Sequence, residues 1–370
     1  MNDIIHQQVF QWMEEWAPRD YAYDWDPVGL QVGNYNEKTK NILVTLDVTS
    51  EVVAEAIENN ANLIISHHPI LFRAIQQIDT ATSEGKLLQK LLKHNITVYS
   101  SHTNLDMASG GVNDVLANLL QLNNLQPLAD LKYESLYKII VYVPKSHAED
   151  VREALSRGGA GHIGNYSHCT FQTAGEGTFK PLEGTDPFIG EKGKIEYVSE
   201  YKIESIVPQN HLSKAISEMI AAHPYEEVAY DIIPLENKGE SVGLGRIGTL
   251  KEKQTLETFA SFVKDTFQID QVKITGPLHS SIKRVAVIGG SGEKYIPIAK
   301  RQGADVLVTG DVTFHQAQAA ETLGLAVIDA GHYIEHLATD KIQQYLQGKL
   351  LSTNNTVYRS TINTDPFQYL

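Results

Sequence analysis

The chain has 370 residues, 42% hydrophobic and 21% charged, with 31 Lys and Arg against 45 Asp and Glu for a formal net charge of −14. That composition belongs to a globular protein of more than one domain, and the acidic balance argues against nucleic acid, whose non-specific binding rests on surplus basic side chains. No run approaches the roughly 20 apolar residues that span a bilayer. The single cysteine, Cys169, excludes an internal disulfide framework and an all-thiolate metal site and points to a cytoplasmic location.

The N-terminal stretch "MNDIIHQQVFQWMEEW" carries Asp3, Glu14 and Glu15 and no basic n-region. It reads as an amphipathic helix of the mature chain and not as a signal peptide. "DWDPVGLQVG", residues 24–33, looks like a turn entering a strand, with Asp26 before Pro27 as the turn opener. From residue 41 strands and helices alternate. "NILVTLDVT", "NLIISHH" and "ITVYSSH" are the strands, with "SEVVAEAIENN", "EGKLLQKLLKHN" and "GGVNDVLANLLQL" as helices. The alternation returns late in the chain, where "RVAVIGG", "ADVLVTGD" and "LAVIDAGH" are strands and "EKYIPIAKRQG" and "FHQAQAAETLG" are helices. Such alternation predicts a mostly parallel, doubly wound α/β core split in the sequence.

The middle differs. "LYKIIVYVP", "SHAEDVREALSRGG", "EYKIESIVP", "NHLSKAISEMIAAHP" and "EEVAYDIIPL" read as strand, helix, strand, helix and strand, a ferredoxin-like α+β pattern. Nine of the 27 glycines lie in residues 158–193, a concentration expected of loops and hairpin turns. The expected organisation is therefore a core half over 1–128, an inserted domain over 129–240 and a second core half over 241–370.

The chemistry collects where strands end. His67 and His68 stand before Pro69, Asp106 follows "SSHTNL", and His332 and Glu335 belong to "DAGHYIEH". Ligands of open α/β sheets bind at the carboxyl ends of strands. Any one of these histidines alone reads as a hydrogen-bonded, partly buried side chain, but the set reads as a metal site. Imidazole with carboxylate suits zinc, manganese or iron better than calcium or magnesium. Three histidines and two carboxylates exceed one tetrahedral zinc and fit two metals with a bridging group. If a helix begins at His332, it and Glu335 share one face.

Other stretches carry two readings each. "GAGHIG" has the dinucleotide-binding spacing, but it follows a predicted helix and opens none. "VAVIGGSGEKY" offers an anion-binding turn at Gly289–Gly292 or simply tight packing. Asp311 and His315 in "TGDVTFHQA" read either as acid/base or outer partners of the cleft, or as a helix cap and a surface histidine. His102 reads as a further ligand, a proton shuttle or a structural partner.

The motifs "DWDPVGLQVG", "ISHHPILF", "SSHTNLD", "GLGRIG", "TGDVTFH" and "DAGHYIEH" together resemble the NIF-three-like proteins, also labelled GTP cyclohydrolase 1 type 2 homologues. The likeness covers about residues 1–125 and 243–370. The middle block, with "AAHPYEEVAYDIIPL", is similar to the PII/CutA-like domain of longer members in Gram-positive bacteria. The resemblance implies a dinuclear centre of two divalent metal ions per chain, zinc first and manganese or iron as alternatives. It implies His67, His68, Asp106, His332 and Glu335 as ligands, with Glu335 bridging and Asp106 as a second bridging candidate, and a toroidal homohexamer. The family label implies GTP cyclohydrolysis, a hydrolase reaction on a nucleotide or other small molecule by metal-activated water, with His102 or His315 moving the proton. A phosphoesterase and a non-catalytic regulatory metal protein whose insert senses a ligand are the alternatives.

Overall fold

The computed structural model describes residues 4–351 and 353–368. The chain divides into two compact units, Met1–Lys132 with Val242–Leu370, and Tyr133–Ser241. It leaves the first within the strand Asn123–Pro144 and returns within the strand Tyr230–Thr255.

The first unit is α/β. One sheet runs in the order Gly29–Val32, Thr97–Ser100, Ala61–Ser66, Asn41–Thr45, Val357–Arg359. Its first pair is antiparallel and the other three pairs are parallel. In the other sheet Ser281–Ser291, Val306–Gly310 and Ala326–Asp329 pair in parallel, with antiparallel neighbours Tyr230–Thr255 and Lys273–Thr275 at either side. The Val/Ile/Leu runs form strands because they are covered on both faces, and the period of two sorts their side chains. Ile42, Val44, Leu63, Ile65, Val285, Val287 and Val306 join one core with Phe10 and Met13 of the helix His6–Trp16 and Phe259 and Phe267 of Leu256–Phe267. The first three residues of the expected N-terminal helix lie outside the described residues.

The alternate residues Leu43, Ile64 and Val98 pack outward against the helices Ser50–Glu58 and Ser83–Lys93. Ala286, Ile288 and Leu307 do the same against Ile296–Arg301 and Phe314–Leu323. The helices start where the sequence supplies caps. Thr49 and Thr82 each accept a backbone N–H three residues on, from Val52 and Gly85.

The second unit runs strand (in Asn123–Pro144), helix Ala148–Arg157, strand Thr170–Phe179, strand Glu196–Pro208, helix Gln209–Ala222 and strand (in Tyr230–Thr255). The spatial order is Thr170–Phe179, Glu196–Pro208, Asn123–Pro144, Tyr230–Thr255. Ile139, Val141, Val143, Ile203 and Val207 face the two helices and make its core with Val151, Leu155, Ala215 and Met219. The strand Thr170–Phe179 lies where glycine frequency predicts loops. Its ten residues pair one-to-one with Glu196–Ser205, so tertiary hydrogen bonding forms a strand that its composition does not favour.

Candidate metal centre

The strand Ala61–Ser66 is buried at every position. Beyond it the chain turns, with the His67 and His68 amides donating to Thr45 and Leu46 carbonyls at 3.1 and 3.0 Å. Ser66 Oγ donates to the His68 carbonyl at 2.9 Å and contacts Ser100 Oγ at 2.7 Å, which fixes the turn to the neighbouring strand. Asp106 comes from the short helix Thr103–Met107 that follows Thr97–Ser100. His332 and Glu335 open the 3₁₀ helix His332–Ala338, in which residues three apart eclipse one another.

Glu335 stands at the centre and is 4% exposed. Its Oε2 lies 3.0 Å from His68 Nε2 and 3.2 Å from His332 Nε2. Its Oε1 lies 3.8 Å from His67 Nε2, which is 3.6 Å from Asp106 Oδ1. Two donor groups thus share one carboxylate: His68, His332 and Glu335, and His67, Asp106 and Glu335. His67, His68 and His102 form a third group, with all donor atoms in each group within 4.8 Å of one another. His67 Nε2 and Asp106 Oδ1 are buried with no hydrogen-bond partner. Buried polar atoms are almost always satisfied, so this pair fits a cation that takes lone pairs from both.

The outer ring atoms tell the same story. Each Nδ1 is held by an oxygen: His67 by the Ser101 carbonyl at 2.9 Å and His68 by Asp47 Oδ1 at 2.7 Å. His102 is held by Asp26 Oδ1 at 2.9 Å and His332 by Asp311 Oδ2 at 2.6 Å. An Nδ1–H that donates outward leaves the Nε2 lone pair for the interior, the arrangement by which outer partners orient metal-ligating histidines. Asp311 reaches His332 from a left-handed backbone at φ 55°, a conformation Asp tolerates better than most residues. A cavity of 560 Å³ opens on the cluster, lined by Asp47, His68, Asp311, His332, Tyr333 and Phe367 among others.

Electrostatically Glu335 and the imidazoles favour one another's charged forms. Burial pulls the His68 imidazole down, but hydrogen bonds to Asp47 and Glu335 outweigh it and push it up to about 10. The Glu335 hydrogen bond, against some burial, raises His332 to about 9. Glu335 would be raised by burial, but His332, His67 and His68 hold it well below the ordinary carboxylate range. Asp106 goes the other way, because burial dominates and pushes its carboxyl up.

All five residues expected as ligands meet here, and His102 joins them. The structure does not bring His315 in. It is exposed on the first turn of Phe314–Leu323, where its Nδ1 lies 3.4 Å from Gln318 Oε1 and its ring stands against Phe314. Asp311 is not a helix cap, since the cap position falls on Thr313. Asp26 does more than open a turn: it is buried, takes His102 and accepts from the Thr103 amide at 2.9 Å. Asp47 escaped the sequence reading, although it stands two residues past a strand end like the others. At Gly289–Gly292 two amides are already taken, Gly289 by Asn113 Oδ1 and Gly292 by Thr309 Oγ1, both at 2.9 Å. Those glycines instead make room: a Cβ at Gly290 would lie 2.7 Å from Glu335 Oε1.

The sequence profile of Duf34/NIF3 (NGG1p interacting factor 3) matches residues 5–366. A protein of Bacillus subtilis (strain 168) named GTP cyclohydrolase 1 type 2 homolog is 49% identical over 368 residues, 98% of each chain. One of the same name from Halalkalibacterium halodurans is 48% identical over 368 residues, again 98% of each. The crystal structure of a Bacillus cereus protein related to NIF3 superposes with a TM-score of 0.89 at 45% identity, covering both chains completely.

Proposed function

The chain belongs to the Duf34/NIF3 family, and we propose that its cluster of histidines and carboxylates holds two divalent metal ions, zinc first, and hydrolyses a small molecule. The observation that carries this reading is Glu335, whose two oxygens face two separate donor groups, the placement that a carboxylate shared by two metal ions would need. His67 and Asp106 would hold one ion, and His68 and His332 the other. Bound divalent metals supply Lewis acidity and lower the pKa of water toward about 7. The chain's own residues would do the rest: Asp47, Asp26 and Asp311 hold the imidazoles, and His102, backed by Asp26, would take or return a proton.

The name shared by the relatives, GTP cyclohydrolase 1 type 2 homolog, supports a nucleotide substrate and cyclohydrolysis. A cytoplasmic homohexamer is the assembly we infer for it. We read residues 129–240 as an inserted PII/CutA-like domain, supported by the twofold strand–helix–strand order of the middle unit.

The test is direct. Metal is quantified in purified, metal-replete protein, and GTP, cyclic nucleotides and phosphodiesters are followed by mass spectrometry beside a His67→Ala/His68→Ala double variant. Fewer than one metal per chain removes the dinuclear reading. No turnover by fully loaded protein sinks hydrolysis of those substrates, and turnover that survives loss of both histidines sinks this site.

A further inference from the structure

A second cavity, of 690 Å³, lies wholly within the unit Tyr133–Ser241, on the sheet face turned away from its helices. Phe179, Phe188 and Tyr225 form its walls, with ring centroids 5.7 Å apart for Phe179–Tyr225 and 6.4 Å for Phe188–Tyr225. Glu200 lines the same cavity at 7% exposure. Its ladder partners are Pro144 and Gly175. The Tyr225 hydroxyl donates to Glu200 Oε1 at 2.8 Å. The neighbouring Lys202 ammonium faces Glu204 instead, at 3.5 Å. Glu200, Glu226 and Glu227 line the cavity with Lys202 as its one basic lining residue, while Glu176 alternates to the other face of its strand.

The volume is that of a small-molecule site, and such sites combine apolar walls with a few placed polar groups. A carboxylate so deeply buried is costly without a cation, and aromatic faces attract cations once water is excluded. We propose that this cavity binds a small organic cation, an ammonium or guanidinium carried on an apolar or aromatic body, with Glu200 as counter-ion and the three rings as its cage. The strand has kept space for both. A Cβ at Gly177 would lie 2.2 Å from Glu200 Oε2, whereas one at Gly175 would meet nothing within 4 Å and enters the open cavity.

That vacancy supplies a clean test. Binding of benzyltrimethylammonium and of phenethylamine to the full chain is measured by calorimetry at millimolar concentration, with phenethyl alcohol as the uncharged counterpart. The cations are expected to bind at least about tenfold more tightly than the alcohol. Glu200→Gln, which keeps a partner for Tyr225, should remove that difference, and Gly175→Leu should abolish binding while the thermal transition and oligomeric state stay as in the wild type. Equal affinity for alcohol and cations, no binding of either cation, or binding that survives Gly175→Leu overturns the proposal. So does a change of oligomeric state in Gly175→Leu, which would make this face a contact between copies.

Discussion

At the scale of single residues, the four inward-facing imidazoles owe their aim to oxygens that never enter the cluster. Asp311 is the most accessible of these, and replacing it with Asn keeps both size and tolerance of the left-handed backbone while removing the charge on His332. Loss of such an outer partner typically weakens metal binding about 10–100-fold. Asp311→Asn should therefore show a loss near the lower end of that range in chelator competition, with an unchanged melting temperature. A second residue-scale expectation concerns pH. His6 is fully buried, and burial holds its pKa below the ordinary 6.5 in the folded chain. The unfolded chain then binds more protons below that value, so stability is complete above it and declines as pH falls through it. His6→Leu should flatten the dependence of unfolding free energy on pH between about pH 7 and about pH 5, measured by urea titration.

At the scale of elements, the strand-end turns decide whether the cluster can form. Gly290 has φ 61° and leaves the space that Glu335 occupies. Gly290→Ala adds a methyl group against that carboxylate at a backbone angle that costs about 1 kcal/mol for a side chain. The chain should still fold, as circular dichroism will show, while elemental analysis finds its metal content sharply reduced. The core elements were legible because runs such as "NLIIS" and "VLVTG" are buried on both faces and become strands wherever they are placed. The strand Thr170–Phe179 was not legible, since its Thr, Gly and Glu residues are mostly exposed and only its ladder with Glu196–Pro208 makes it one. The candidate site divides likewise. His67, His68, Asp106, His332 and Glu335 announce themselves by standing at strand ends. The roles of Asp26 and Asp47 were not legible, because the bonds from His102 and His68 span 76 and 21 residues and exist only once the chain has folded.

At the scale of the whole molecule, one buried arginine ties the two sequence-distant parts of the metal-bearing unit together. Arg246 is 3% exposed and grips both Asp114 oxygens, at 2.8 Å from Nε and 2.6 Å from Nη2. Its remaining donors reach the carbonyls of Gly243, Gly245, Met107 and Ala108. The last two follow Asp106 directly, so the same side chain braces a candidate ligand. Breaking a buried ion pair by removing one partner costs about 3–5 kcal/mol. Arg246→Met should lose stability of that order in chemical denaturation, and its metal content should fall along with it.

The candidate ligands fall into two stretches, and this imposes an order in time. Residues 67, 68 and 106 leave the ribosome long before residue 335, which follows 335 − 106 = 229 positions later. At synthesis rates of about 5–20 residues per second the delay is roughly 10–50 s. Throughout it the nascent chain carries His67, His68, His102 and Asp106 without the central glutamate and without His332. Of the three donor groups only His67, His68 and His102 is complete in that half, and both groups that share Glu335 await the later stretch. The two donor groups centred on Glu335 are consequently a property of the finished chain.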